Sequence, residues 1–131
     1  MIDCENEIYT IVKTKVEAVY KGIHFTSEPT YSPAEFPCVA LYEADNSSYD
    51  KTKDSSGKEN HAQVMYEAYV FSNKKQGRKT ECKNIFKVVD EVMSALGFTR
   101  LTKQPFNTDN VSRLIGRYIA IISKNKEIFR R

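Results

Sequence analysis

The sequence predicts an α+β domain in which two helices pack on one face of a mostly antiparallel sheet, in the order α-β-β-β-α-β-β. Three observations carry that prediction. Apolar residues recur with a 3.6-residue period in two separate segments. Residues 62–72 alternate with period 2. Residues 112–124 are apolar on both faces near their end, the pattern of a strand covered on both sides.

The first helix is expected over residues 4–20. Ile8, Ile11, Val12, Val16 and Val19 form one stripe, Asp3 stands where an N-cap is needed, and Glu5 and Glu7 occupy the first turn, where the helix dipole favours negative charge. Gly22 follows as the terminator. Residues 23–36 contain two prolines and several turn formers and read as a short strand followed by a loop. Residues 37–44 are dense in strand formers, with Pro37 at the position a strand tolerates best. Residues 45–60 hold one aromatic and no aliphatic side chain, four acidic and three basic groups, and are expected to form a long polar loop.

In residues 62–72 one face carries Ala62, Val64, Tyr66, Ala68 and Val70, and the other Gln63, Met65, Glu67, Tyr69 and Phe71. The second face is apolar enough to need cover. A basic turn over 73–79 leads to a second helix over 80–96, with Thr80 as N-cap and a stripe of Cys82, Ile85, Phe86, Val89, Val92, Met93 and Leu96. Gly97 takes the C′ place, with Phe98 packing back as in a Schellman ending. Strands over 98–103 and 112–124 follow, joined by a turn at 105–110. In the last strand Leu114, Tyr118, Ala120 and Ile122 alternate with Ile115, Ile119 and Ile121. Residues 125–131 read as a basic tail.

At 131 residues the chain is expected to be a single domain, 1–131. With 40% hydrophobic and 28% charged residues it can build one core under a soluble surface, and 5 Gly and 4 Pro exclude collagen-like and low-complexity classes. No run approaches the ~18 apolar residues of a membrane span. The opening Met1-Ile2-Asp3-Cys4-Glu5 is acidic and does not read as a secretory signal. Cys4, Cys38 and Cys82 are odd in number, lack CxxC spacing and lie far from His24 and His61, so reduced thiols are expected and no metal site.

The net charge of +3 is small, but residues 1–50 sum to −6 (3 basic, 9 acidic) and residues 51–131 to +9 (17 basic, 8 acidic). Nucleophile elbow, P-loop, dinucleotide fingerprint, HExxH and EF-hand patterns are all missing. Neither histidine has a carboxylate at a supporting sequence offset, and Asp90 and Glu91 point about 100° apart on a helix and read as a solvated face. No catalytic residue, cofactor site or metal site is expected. Lys74, Lys75, Arg78 and Lys79 cluster before a helix N-terminus and, with Arg130 and Arg131, are candidates for contact with an anion or a partner.

Four segments, 36–46 (FPCVALYEADN), 64–85 (VMYEAYVFSNKKQGRKTECKNI), 93–101 (MSALGFTRL) and 113–131 (RLIGRYIAIISKNKEIFRR), resemble a family of small proteins of tailed phages and prophages of low-GC Gram-positive bacteria. Their genes lie between head-completion and tail-tube genes. The similarity covers nearly the whole chain and is one of texture and element order, and the family is identified as the tail terminator, or tail-completion, class. The resemblance implies a non-enzymatic α+β protein that assembles as a hexameric ring. The ring caps the tail tube, meets the head–tail connector, and lets DNA pass through its lumen without sequence-specific binding. It implies a place in the virion tail, and in the host cytoplasm during assembly, with no membrane partner.

Unlike charge in the two halves suits the head-to-tail contacts that close rings. Met65, Tyr69, Phe71, Ile115, Ile119 and Ile121 are candidates for the subunit interface, unless the same chain covers them. Asn46, Tyr49, Lys51 and Lys53 are candidates in an assembly loop. Two alternatives stay open: a neck or head–tail connector subunit, and a small nucleic-acid-binding module using the basic residues.

Overall fold

A computed structural model describes residues 1–30, 33–48, 60–108 and 110–129. The chain runs α1 (Glu5–Val19), β1 (His24–Thr26), β2 (Cys38–Ser48), β3 (His61–Ser72), α2 (Arg78–Leu96), β4 (Thr99–Pro105), β5 (Ser112–Ser123) and β6 (Ile128–Phe129). This is the expected α+β order, with β6 added at the end. The sheet order is β1-β2-β3-β5-β4, β6 pairs β5, and only β1–β2 is parallel.

Both helices lie on the face carrying Val39, Leu41, Val64, Tyr66, Val70, Tyr118 and Ile122, and these join Ile8, Val12, Val16, Ile85, Phe86, Val89 and Met93 in one core. Each such side chain contributes about 1.5–3 kcal/mol by leaving water. The α2 stripe is buried as expected from Cys82 to Met93. The α1 stripe is narrower than expected: Ile8, Val12 and Val16 are buried, but Ile11 and Val19 are 37% and 59% exposed. The cause is placement. α1 packs against α2 and β2 rather than across the middle of the sheet, so only an i, i+4 line meets the core.

At the start of α1 the Glu5 N–H donates to Asp3 Oδ1 at 3.0 Å, and Cys4 holds the N-cap place without a side-chain bond. α2 begins at Arg78, two residues before the expected Thr80 cap. Gly77, at φ 78°, takes the left-handed conformation that turns the chain into the helix, and the Glu81 N–H donates to its carbonyl at 2.9 Å. The end of α2 is the expected Schellman motif. The Phe98 N–H reaches Met93 O, the Gly97 N–H reaches Ser94 O, both at 3.0 Å, and Phe98 is buried edge-on against Tyr66.

Strand β2 runs four residues into the segment expected to be loop. After a bulge between Glu43 and Asp45, Asp45, Asn46, Ser47 and Ser48 pair with Met65, Val64, Gln63 and Ala62. Pairing needs only backbone groups, and the core-facing Ala62 and Val64 of β3 hold their strand in place. Polar side chains on β2 are therefore no obstacle. Within the basic tail Lys126, at φ 67°, turns the chain so that Ile128 pairs with Ile122 and packs on the main core.

Candidate functional site

The sheet face opposite the helices is built from side chains in register across five strands, β2, β3, β5, β4 and β6. One row runs Cys38–Phe71–Arg113, the next Ala40–Tyr69–Ile115–Gln104. Tyr42–Glu67–Arg117–Thr102 and Asp45–Met65–Ile119–Thr99 follow, and the last is Ser47–Gln63–Ile121–Phe129. Among the described residues no helix covers this face. All six candidate interface residues lie on it, as the alternation predicts.

They are not equally available. Phe71, Ile119 and Tyr69 are buried within the chain at 0%, 3% and 8% exposure, in part because Phe36, Tyr42, Val111 and Ile115 pack on the small cluster of Cys38, Ala40, Tyr69 and Phe71. Met65, Ile115 and Ile121 are half-buried, and Phe129 extends their apolar surface at 44% exposure. An interface on this face draws on those four. The sequence had no way to show that a loop residue, Phe36, would fill the other end.

A polar pair crosses the middle of the face. Arg117 Nε donates to Glu67 Oε2 at 3.1 Å, and the Tyr42 hydroxyl lies 3.4 Å from Glu67 Oε1. Burial, with Tyr69 and Glu67 alongside, pushes the Tyr42 phenol well above its ordinary range. Tyr42 stacks on Tyr69, Tyr69 on Phe71, and the Arg113 guanidinium lies 5.7 Å from the Phe71 ring centroid and 5.9 Å from that of Phe106.

The chemistry-bearing groups are dispersed. Cys4, Cys38 and Cys82 are free and buried. Desolvation raises the thiols of Cys38 to about 11 and of Cys82 to about 12, and the Cys82 thiol donates to Val70 O at 3.1 Å, so both stay protonated near neutrality. Among the described residues no group of three His, Cys, Asp or Glu side chains could hold a metal ion, and no helix is long and apolar enough to cross a membrane.

Two readings of carboxylates need correction. Glu35 stands 3.5 Å from His24 Nδ1, a pairing of loop and strand that sequence offset could not show. Asp90 is no solvated bystander: it accepts a hydrogen bond from the Tyr118 hydroxyl at 2.9 Å and pairs with Arg100 at 3.0 Å.

The basic candidates divide. Lys74 and Lys75 are exposed in the turn before α2, with Lys74 4.0 Å from Glu81. Arg78 and Lys79 fall in the first turn of α2 and line a cavity with Asn107 and Ser112. Asn46 is fixed in β2, its Nδ2 donating to Ile2 O at 2.8 Å and to Glu43 Oε1 at 3.2 Å, so it belongs to no free loop. Tyr49, Lys51, Lys53, Arg130 and Arg131 lie outside the described residues. No protein-family model and no curated protein matches the chain.

Proposed function

We propose that this chain is a structural protein of a tailed phage or prophage, a tail terminator whose copies form a ring that caps the tail tube and joins it to the head. The observation that carries the reading is the helix-free face of the sheet. Met65, Ile121 and Phe129 present apolar surface there on one side of the Glu67–Arg117 pair, and Ile115 does so on the other. Partly exposed apolar side chains around a paired charge are the material of a protein interface. The α+β fold is the one the family resemblance calls for, and the two ends of the sheet differ in charge, which suits head-to-tail closure.

The test is mass measurement by light scattering, with the tail-tube protein present, alongside electron microscopy of tube length. The expected result is a complex of fixed stoichiometry and arrested tube growth. Both should be lost in Met65→Glu/Ile121→Glu, provided its circular dichroism is unchanged. A chain that stays monomeric beside the tube protein and leaves tube growth unaltered overturns the proposal. Capture of the connector instead of the tube assigns the chain to the neck.

A further inference from the structure

The net charge of +3 conceals where the cations lie. Helix α2, edge strand β4 and the turn after it border a groove of three cavities joined through shared lining residues. The first, about 270 Å³, lies at Arg78 and Lys79; the second, about 220 Å³, shares Lys79 and adds Lys83 and Arg113; the third, about 410 Å³, shares Lys83 and adds Lys87, Arg100 and Lys103. Lys79, Lys83 and Lys87 succeed one another every four residues, roughly 6 Å of helix rise apart. Arg100 and Lys103 face them because they pair with Tyr118 and Gly116, which puts both on the helix side of β4.

The four lysines of the groove, Lys79, Lys83, Lys87 and Lys103, have little compensation among the described residues. Among the described lining residues the one carboxylate is Asp90, and Arg100 and the Tyr118 hydroxyl already engage it. Lys79, Lys83, Lys87 and Lys103 make no ion pair among the described residues, and Lys103 rests over the Phe86 ring at 5.9 Å. Phe86 is itself 2% exposed, so the groove floor offers no open ring on which an unpaired base could stack.

We propose that the α2–β4 groove binds the phosphate backbone of duplex DNA without reading its sequence. Ammonium groups repeated along a helix suit a polymer of regularly spaced monoanions. A protein partner would call for an aromatic or aliphatic anchor in the groove, and the large apolar side chains of the described lining, Phe86 and Leu114, are buried. The proposal goes beyond ring assembly. Binding is read on the chain itself, so failure here leaves the ring reading standing, and failure of the ring leaves this one standing.

The test is fluorescence anisotropy with a mixed-sequence duplex of about 30 base pairs across a salt series. Four lysine–phosphate contacts give a log–log salt slope of about −3.6, so affinity falls about 150-fold between 50 and 200 mM salt. Lys83→Gln/Lys87→Gln should reduce the slope to about −1.8 and the loss to about 12-fold. Lys15→Gln/Lys21→Gln, outside the groove, should match the parent, and thermal melts establish that each variant is folded. A second duplex of unrelated sequence should bind equally. No binding at 50 mM salt overturns the proposal, as does a slope unchanged by the groove variant. Preference for polyglutamate of matched charge also overturns it, and would assign the groove to an acidic protein surface.

Discussion

Gly116 lies on the helix side of β5, and Phe86 of α2 occupies the space a side chain there would take. A Cβ added at Gly116 would stand 2.6 Å from Phe86 Cζ and 2.8 Å from Cε2. Carbon atoms in contact sit about 3.5–4.0 Å apart, so the ring must retreat by about 1 Å. Phe86 is 2% exposed within the main core, with the Lys103 ammonium near its face, so retreat means displacing packed neighbours. Overpacking of this kind costs about 1–3 kcal/mol, and removing a glycine from the unfolded chain returns about 0.4–1 kcal/mol. Gly116→Ala should therefore destabilise by about 1–2 kcal/mol. For 131 residues the unfolding entropy is about 0.28 kcal/mol/K, which converts this to a fall in Tm of about 4–7 °C. The assay is a double-mutant cycle by thermal and denaturant unfolding. Phe86→Leu alone costs about 1–2 kcal/mol as a large-to-small change. In its background Gly116→Ala should cost little, because leucine lacks the Cζ that the new methyl meets, giving a coupling of about 1 kcal/mol. Additivity within about 0.5 kcal/mol, or a neutral Gly116→Ala, would refute the account of a ring seated on a glycine.

Two other substitutions follow from the same coordinates. Tyr118→Phe removes the hydrogen bond to Asp90 while Arg100 still pairs with that carboxylate, so thermal unfolding should fall by about 4 °C, an amount corresponding to about 1 kcal/mol. Glu43 is half-buried with Asp3 and Glu5 beside it and Asn46 and Tyr66 as polar neighbours; desolvation first, then those carboxylates, raises its carboxyl above the ordinary value of 4.5. A raised carboxyl contributes stability that is full below the unfolded value and lost as pH rises through the folded one. Glu43→Gln should accordingly melt higher than the parent at pH 7, by up to about 2 °C, with the gap closing toward pH 4; a gap that widens in acid would contradict the assigned sign.

The elements that could be read from the sequence are those in which one side-chain period dominates. The α2 stripe, the alternation of Ala62 to Val70 against Gln63 to Phe71, and the Gly97–Phe98 ending all appear as expected, because local pattern and tertiary burial agree there. What escaped depends on contacts between distant segments or on backbone alone. Thr80 looked like the better cap, yet a left-handed Gly77 starts α2 earlier. Residues 45–48 carry no apolar signal, yet pair with β3 through their backbones. Val19 fits the helical period, but only the Ile8–Val12–Val16 line of α1 meets the core, and Val19 is left exposed. Of the groove, the spacing of Lys79, Lys83 and Lys87 is legible in the sequence. Arg100 and Lys103 join them only through the β4–β5 register, which carries an irregularity between Arg100 and Thr102 that no pattern of residues announces.

The sheet order explains why the charge split along the sequence becomes a split in space. Strands β1 and β2, together with α1, come from the first 50 residues; β5 and β4, with α2, come from the remainder; β3 stands between them. A chain that crossed over more freely would mix the −6 and +9 halves. This one lays them nearly in sequence order, so acidic side chains such as Glu28, Glu35 and Asp45 gather toward one edge and Lys83, Lys87, Arg100 and Lys103 toward the other. Such polarity acts over about 8 Å at physiological salt and between exposed groups contributes little once contact is made. In the proposed ring its physical use would lie in orienting an approaching polyanion or neighbouring copy, whereas holding a copy in place would fall to the apolar side chains of Met65, Ile115, Ile121 and Phe129. High salt should therefore slow ring assembly more than it loosens a ring already formed, the kinetic signature of steering by charge and retention by burial.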